Sequence, residues 1–214
     1  MGQNADSGRL SPQQETIAAY DASAAEYVVE AAELAVHIRA QIERFTELLG
    51  GAGRILEIGS GGGRDARALE SRGLSVRRTD VTPAFIEILR AQGNAADLLD
   101  PLTDDLRDPR NPAEPYDGVW AQACLMHVAR EHLGTVLTRL AEVTKPAGLL
   151  FVSVTEGDGD RPASGRAGVR HHQTDWREAP LRAVVEASGW AIDDVTSTQG
   201  KTAPFLNVLG HRAG

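Results

Sequence analysis

The chain has 214 residues, 42% of them hydrophobic, which is enough for one well-filled domain. Its formal net charge is −8, with 22 lysines and arginines against 30 aspartates and glutamates, which disfavours a nucleic-acid partner gripped through its phosphates. A single cysteine excludes an intramolecular disulfide and a cysteine-only metal site, and no apolar run approaches membrane-spanning length. We expect a cytoplasmic protein with neither a metal nor a membrane partner.

The first fifty residues predict a tail followed by helices. Residues 1–12 are polar and predict a flexible tail. Through residues 13–49 the apolar positions recur at intervals of three and four, the period of a helix. A break at "YDAS" predicts two helices, with Asp21 or Ser23 as the N-cap of the second. Glycines at 50, 51 and 53 end the segment.

From residue 51 onward, strands alternate with helices. Helices are predicted at 64–72, after Thr82-Pro83, at 130–143 and at 179–187, which is typical of a mostly parallel sheet covered on both faces. A short "TQGK" turn joins the last two strands and leaves no room for a crossover helix, so these strands are predicted to be antiparallel. The seven predicted strands are "RILEI", "LSVRRTD", "AADLL", "YDGVWAQA", "GLLFVSV", "WAIDDVTS" and "PFLNVLGH".

A glycine-rich loop lies between the first strand and its helix, in "ILEIGSGGGRDARALESRG". Such a loop before a helix N-terminus suits the ribose or phosphate end of a nucleotide-like cofactor. The dinucleotide pattern would require glycine where Arg64 stands. The acidic Glu57 would repel a pyrophosphate, but it suits a cofactor that carries an ammonium group and a sulfonium. Asp80 follows Gly59 at the spacing of a ribose-binding acid, with a helix N-cap before Thr82 as the alternative.

Together "LEIGSGGGRDARALESRG", "RTDVTPAFIEILRAQG", "AADLLDP", "YDGVWAQACLMHV" and "LAEVTKPAGLLFVSV" resemble the class I S-adenosylmethionine-dependent methyltransferases. The resemblance implies a Rossmann-like, doubly wound α/β fold, with a seven-stranded, mostly parallel sheet whose last strand is antiparallel. It implies S-adenosyl-L-methionine as cofactor and S-adenosyl-L-homocysteine as product. Residues 51–214 would form the cofactor-binding methyltransferase domain, and residues 13–50 a helical lid over the site.

The resemblance also assigns cofactor contacts. The first motif would hold the methionine part, with the glycines leaving room for it where any Cβ would collide. Asp80 would bind the ribose and Val81 would pack on the adenine. Asp97 and Leu98 would meet the adenine amino group and ring nitrogen. Further assigned contacts are Glu57, Gly59, Gly61 and Gly63 in the first motif, and Ala121 and Gln122 beside the transferable methyl group.

Methyl transfer from a sulfonium needs alignment and, for some acceptors, removal of a proton. His127 follows the fourth strand at the edge where α/β sheets bind ligands, so it is a candidate base, with a structural histidine as the alternative. His171 and His172 are the rival bases. Tyr20 is a candidate substrate contact from the lid, although an aromatic residue at helical spacing also suits a core.

Residues 155–176 predict a long loop without regular structure, which we interpret as a flap over the substrate. Arg170 and His171 are its candidate substrate-binding residues, whereas Arg161 and Arg166 are expected to be solvated.

The predicted function is methylation of a small-molecule acceptor, with a place in secondary metabolism and a histidine that removes the proton. One alternative is a methyltransferase acting on nucleic acid or protein. The tetrad typical of amino-group methylation of bases is missing, because Ala121-Gln122-Ala123-Cys124 stands there. The other alternative is a non-catalytic partner subunit that binds the cofactor.

Overall fold

The computed structural model describes residues 10–200 and 203–214. None of the helices within these ranges is long and apolar enough to cross a membrane. The helices are α1 (Pro12–Ala22), α2 (Ala24–Glu30), α3 (Val36–Leu48), α4 (Arg64–Glu70), α5 (Pro83–Ala91), α6 (Arg130–Glu142) and α7 (Glu178–Ala187). The strands are β1 (Gly53–Ile58), β2 (Leu74–Asp80), β3 (Ala96–Leu98), β4 (Tyr116–Gln122), β5 (Thr144–Thr155), β6 (Asp160–Ser164), β7 (Arg170–Thr174), β8 (Trp190–Gln199) and β9 (Pro204–Arg212).

The N-terminal segment differs from its prediction in two ways. Helix α1 begins at Pro12, where Ser11 and Gln14 form a reciprocal capping box, so the end of the predicted tail is helical. The rest of that tail, residues 1–9, lies outside the described residues. There are three helices rather than two, because the chain breaks again between α2 and α3. Ser23 is the N-cap residue of α2, as predicted, but its side chain makes no capping hydrogen bond.

The seven-stranded sheet has the order β3-β2-β1-β4-β5-β9-β8. Strands β1 to β5 pair in parallel, and β9 is antiparallel to both of its neighbours. The predicted fold class, including the antiparallel last strand, is therefore confirmed. This arrangement brings the carboxyl ends of β1, β2, β4 and β5 to one edge of the sheet, where open α/β sheets bind their ligands.

Apolar side chains cover both faces of the sheet. On one face, Ile42 and Phe45 of α3 pack with Trp120 and Phe151, and the rings of Trp120 and Phe151 stack at 4.0 Å. On the other face, α6 and α7 contribute buried side chains that include Leu137. Strands buried on both faces read as continuous apolar runs, which is why "RILEI" and "GLLFVSV" were recognisable.

The predicted loop of residues 155–176 instead contains a β-hairpin. Strands β6 and β7 pair antiparallel from Asp160↔Thr174 to Ser164↔Arg170 and form a separate two-stranded sheet. The backbone N–H of His172 in β7 donates to Thr16 Oγ1 of α1 at 2.8 Å. This contact joins the hairpin to the first helix, and it depends on a pairing that local composition did not indicate.

Candidate active site

The glycine loop connects β1 to α4 at the carboxyl edge of the sheet. Gly59 and Gly63 have φ angles of +72° and +73°, which disfavour any residue with a Cβ. A Cβ at Gly59 would collide with the Cβ of Cys124, and one at Gly63 would lie 2.7 Å from Leu89 Cδ2. At Gly61, also at positive φ, a Cβ would make ordinary contact with Tyr27. Gly59 and Gly63 are therefore required by the backbone and by the chain's own packing, and the clearance for a ligand stays a prediction.

Two buried carboxyl groups lie beside this loop. Glu57 is only 2% exposed and accepts a hydrogen bond from Ser60 Oγ. Burial, followed by repulsion from the Asp65 carboxylate, raises the pKa of Glu57 to about 8. Asp65 is held by Arg64 Nε at 2.7 Å and by Trp120 Nε1 at 3.1 Å. Both acids line a cavity of about 70 Å³ against the loop, and a cationic ligand there would relieve their repulsion.

Asp80 ends β2 and ties that strand to the glycine loop. Its carboxylate accepts from the backbone N–H of Gly61 and of Thr82, each at 2.9 Å. Burial raises its pKa despite these hydrogen bonds. The N-cap residue of α5 is Thr82, so Asp80 is not the helix cap that the alternative interpretation required. Asp80 and Val81 both line a second cavity.

This second cavity is largely apolar and has a volume of about 110 Å³. Phe85, Leu99 and Leu125 line it, together with the acids Asp80 and Asp100. Asp100 accepts from the backbone N–H of Leu102 at 2.9 Å and from Gln13 Nε2 of α1 at 3.2 Å.

The structure does not bring Asp97 and Leu98 to this cavity. The Asp97 carboxylate pairs with Arg77 at 2.7 Å and with Arg110 at 3.0 Å, and Leu98 is 55% exposed. Leu98 is still within β3, opposite Asp80, and only the residues after it reach the cavity. From the sequence we missed Asp100, the acid that directly precedes the proline in "LLDPL" and that lines this cavity.

The end of β4 also differs from the assignment. Ala121 is fully buried in the core and does not reach these cavities, whereas Gln122 lines the one that contains Glu57. Ala123 follows with a φ angle of +50°, and its backbone N–H donates to the carbonyl of Ser153 at 3.0 Å. This turn brings Ala123 and Cys124 to the cavity edge.

His127 and Tyr20 meet at the cavity that contains Asp80. His127 Nδ1 lies 2.9 Å from the backbone carbonyl oxygen of His172, and Nε2 lies 3.2 Å from Tyr20 Oη. A carbonyl oxygen only accepts, so Nδ1 carries the proton and Nε2 accepts from the Tyr20 hydroxyl. Burial, followed by the neighbouring His171, lowers the pKa of His127 to about 4. Burial raises the pKa of Tyr20, so the hydroxyl stays protonated.

The other predicted flap residues have different environments. His171 is buried, and its two ring nitrogens contact the carbonyl oxygen of Val169 at 3.1 Å and Gln173 Oε1 at 3.3 Å. The backbone of His172 contacts His127 and Thr16, and its imidazole is not among the groups that line the three cavities.

The arginines also differ from the prediction. Arg170 is exposed on β7 and lies away from the cavities. Arg166, expected to be solvated, lines a third cavity and donates to the backbone carbonyl of Glu30 in α2. Arg161 pairs with Asp175 at 2.7 Å.

The third cavity is the largest, with a volume of about 550 Å³. It lies over β5 and β9, beneath α2, α3 and the hairpin. Tyr27 and Ala123 line all three cavities, so the three adjoin one another. Within residues 10–200 and 203–214, no cluster of three or more His, Cys, Asp or Glu side chains could hold a metal ion.

The sheet order and the glycine loop at its carboxyl edge define the class I S-adenosylmethionine-dependent methyltransferase fold. Residues 55–148 match the family model described as a methyltransferase domain.

One curated relative is the ubiquinone biosynthesis O-methyltransferase of Xylella fastidiosa. It is 32% identical over 103 residues, which are 47% of this chain and 41% of the relative. The chain thus matches about two fifths of that relative's length.

Solved structures share the fold over almost the whole chain at low sequence identity. The 1,6-didemethyltoxoflavin-N1-methyltransferase of Burkholderia thailandensis, with its substrate and S-adenosylhomocysteine bound, has a TM-score of 0.70 at 20% identity, covering 100% of this chain and 99% of its own. The N-methyltransferase NodS of Bradyrhizobium japonicum, in complex with S-adenosylhomocysteine, has a TM-score of 0.68 at 16% identity, covering 94% and 100%. The [4+2]-cyclase SpnF has a TM-score of 0.70 at 15% identity, covering 95% and 96%.

Proposed function

We propose that this chain is an S-adenosylmethionine-dependent methyltransferase that acts on a small-molecule acceptor. The observation that carries the proposal is the junction of the three cavities at Tyr27 and Ala123. Two smaller cavities follow the glycine loop, and the third is large enough for a ligand of drug-like size. A methyl donor bound at the glycine loop and a methyl acceptor bound over the sheet would therefore meet where the three cavities join.

The residues around the glycine loop fit this cofactor. S-adenosylmethionine supplies a methyl group on an electrophilic sulfonium. Glu57 and Asp65 supply negative charge for its cationic methionine end, and Asp80 supplies acceptors for ribose hydroxyls. Val81, Phe85, Leu99 and Leu125 offer apolar walls for an adenine, with Asp100 as an acceptor for its amino group, a role we had assigned to Asp97.

In this proposal, helices α1, α2 and α3 and the β6–β7 hairpin form the lid over the site. Tyr20 and Tyr27 close the cavities from α1 and α2, with their rings 5.4 Å apart in an edge-to-face arrangement. Excluding water strengthens the electrostatic interactions inside such a site. A cavity roofed in this way suits a small acceptor better than a nucleic acid or a folded protein. An acceptor from secondary metabolism is part of the proposal.

Tyr20 and His127 would remove the acceptor's proton together. Tyr20 lines both the apolar cavity and the third cavity, and its hydroxyl donates to His127 Nε2. The proton of an acceptor hydroxyl or amine would pass to Tyr20 Oη as Tyr20 gives its own proton to Nε2. The backbone carbonyl of His172 would stabilise the imidazolium through Nδ1–H. His171 is less suited as the base, because both of its ring nitrogens already have partners.

Turnover of methyl-labelled S-adenosylmethionine tests the proposal. The purified chain is incubated with phenols, amines, thiols and small carboxylic acids, and S-adenosylhomocysteine is measured. Calorimetric titration compares S-adenosylmethionine with NAD, which Glu57 and Arg64 disfavour. Tighter binding of NAD would overturn the cofactor assignment. Cofactor binding without turnover on any acceptor would favour a partner subunit or, because SpnF shares the fold, chemistry other than methyl transfer.

A further inference from the structure

Two polar side chains lie next to each other on the floor of the third cavity. Ser153 of β5 and Asn207 of β9 are directly paired across the antiparallel ladder, so their side chains project from the same face. Both line the cavity. The two residues are only 1% and 5% exposed, but Ser153 Oγ and Asn207 Oδ1 are not among the fully buried atoms that lack a partner, so both atoms are open to the cavity.

The orientation of the Asn207 amide follows from its partners. Its Nδ2 donates to the backbone carbonyl of Thr196 at 3.3 Å and to Thr198 Oγ1 at 3.0 Å, both on β8. A backbone carbonyl only accepts, so the NH₂ end must face β8, and Oδ1 points away from that strand. Oδ1 has no hydrogen-bond partner among the described residues. It is an acceptor that needs a donor.

The Ser153 hydroxyl is in the same condition, with no partner for Oγ in the described ranges 10–200 and 203–214. Neighbouring polar groups in the cavity differ from this pair. Thr155 Oγ1 donates to Met126 Sδ at 3.2 Å, and Gln173 bonds to Asp175 at one end and contacts His171 at the other. Because Ser153 Oγ and Asn207 Oδ1 are open to the cavity, a ligand that hydrogen-bonds to them replaces water, and each such bond contributes about 0.5–1.5 kcal/mol.

We propose that Ser153 and Asn207 bind the acceptor by an edge that carries an N–H donor beside a carbonyl oxygen, as in a lactam of a flat heterocycle. The ligand N–H would donate to Asn207 Oδ1, and the ligand carbonyl would accept from Ser153 Oγ–H. Met126, Phe205 and Ile38 line the same cavity and provide apolar contacts for a ring. This assignment rests on the proposed function only in taking the bound molecule to be the methyl acceptor.

A matched pair of probes tests the edge directly. Carbostyril, a fused lactam, and its N-methyl derivative are titrated into the protein by NMR up to millimolar concentration, with and without S-adenosylhomocysteine. The lactam should bind about tenfold more tightly, the effect of one hydrogen bond of about 1.4 kcal/mol. Equal binding of the two probes, or no binding of either, overturns the proposal.

Variants show whether the two side chains cause the preference. Asn207→Ala should reduce the advantage of the lactam severalfold and leave the N-methyl probe unaffected. Ser153→Ala should weaken both probes severalfold, because both keep the carbonyl that accepts from Ser153. Thr155→Val is the matched control, because it removes a cavity hydroxyl that already has a partner, and it should preserve the preference. A lactam preference unchanged in folded Asn207→Ala, or affinities of both probes unchanged in folded Ser153→Ala, would overturn the assignment.

These outcomes are separable from the test of methyl transfer, because binding is read without turnover. A lactam preference without any S-adenosylhomocysteine production leaves the binding site in place and removes the proposed function. Turnover on another acceptor without a lactam preference supports the proposed function and removes the assignment of Ser153 and Asn207.

Discussion

The cofactor end and the acceptor end of the proposed site are assembled differently. The cofactor end uses short segments at the ends of neighbouring parallel strands, and the glycine loop is tied to β2 by Asp80, 19 positions from Gly61. The acceptor end depends on distant pairs: Tyr20 with His127, 107 positions apart, and Thr16 with His172, 156 positions apart. Local sequence can specify the first end, whereas only the folded chain assembles the second. Substitutions at the two ends should therefore affect different measurements.

The largest effect is expected at the acceptor end. His127→Ala should lower turnover by about 10²–10⁴-fold, the usual contribution of a general base, and leave cofactor affinity nearly intact. Tyr20→Phe should lower turnover in the same direction, because it interrupts the transfer to Nε2. His172→Ala is the control, since only its backbone contacts His127. Steady-state kinetics and calorimetry on folded variants measure both quantities.

The pH profile sharpens this prediction. Only neutral imidazole accepts a proton, so the rate should rise with pH through the titration of His127. The pKa of His127 is lowered to about 4, so this rise should be complete well below neutral pH. If His127→Ala leaves turnover unchanged, the acceptor loses its proton without help and the assignment of His127 is wrong.

A comparable loss, in cofactor affinity rather than turnover, is expected at the glycine loop. Gly59→Ala adds a Cβ at positive φ that collides with Cys124, so the loop must shift, and a shift that breaks two cofactor hydrogen bonds of about 1.4 kcal/mol each would cost about 100-fold in affinity. Gly93→Ala is the matched control, because its φ of +83° is similar but nothing lies within 4 Å of the new Cβ. The control should lose about 1–2 kcal/mol of unfolding free energy and no affinity. Equal affinities in the two variants would contradict the role of the loop.

Asp80→Ala should weaken cofactor binding by at least about tenfold, because a hydrogen bond to a charged group contributes about 1.5–3 kcal/mol. The same change frees the backbone N–H groups of Gly61 and Thr82, so thermal unfolding must be measured alongside calorimetry. Asp97→Ala is the comparison, because its carboxylate pairs with Arg77 and Arg110 away from the cavity. A greater loss of affinity in Asp97→Ala would restore the original assignment of that residue.

The smallest effect is a proton released on cofactor binding. Glu57 has a pKa of about 8 in the protein without ligand, so it is mostly protonated at neutral pH. A cationic cofactor favours the carboxylate, so binding at neutral pH should release up to about one proton, and the release should vanish well above the pKa. Calorimetry in buffers of different ionisation enthalpy counts the protons. Glu57→Gln, which cannot ionise, should release none. Equal release from both proteins would place the titrating group elsewhere.

The sequence by itself determined the sheet. Strands buried on both faces leave apolar runs, glycines and prolines mark their ends, and the short turn before β9 excludes a crossover helix. The placement of Glu57, Asp80 and His127 at the carboxyl edge followed from the same pattern, because each stands at or just after a strand end.

Only the tertiary structure decided which side chains share a cavity. It moved the acid beside the apolar cavity from Asp97 to Asp100, since the strand register sets which residue follows the last paired position. It turned a predicted loop into the β6–β7 hairpin and joined that hairpin to α1 through Thr16. It also placed Ser153 beside Asn207, 54 positions further along the chain, by antiparallel pairing. Such contacts depend on register and packing between distant segments, which no local pattern of residue types encodes.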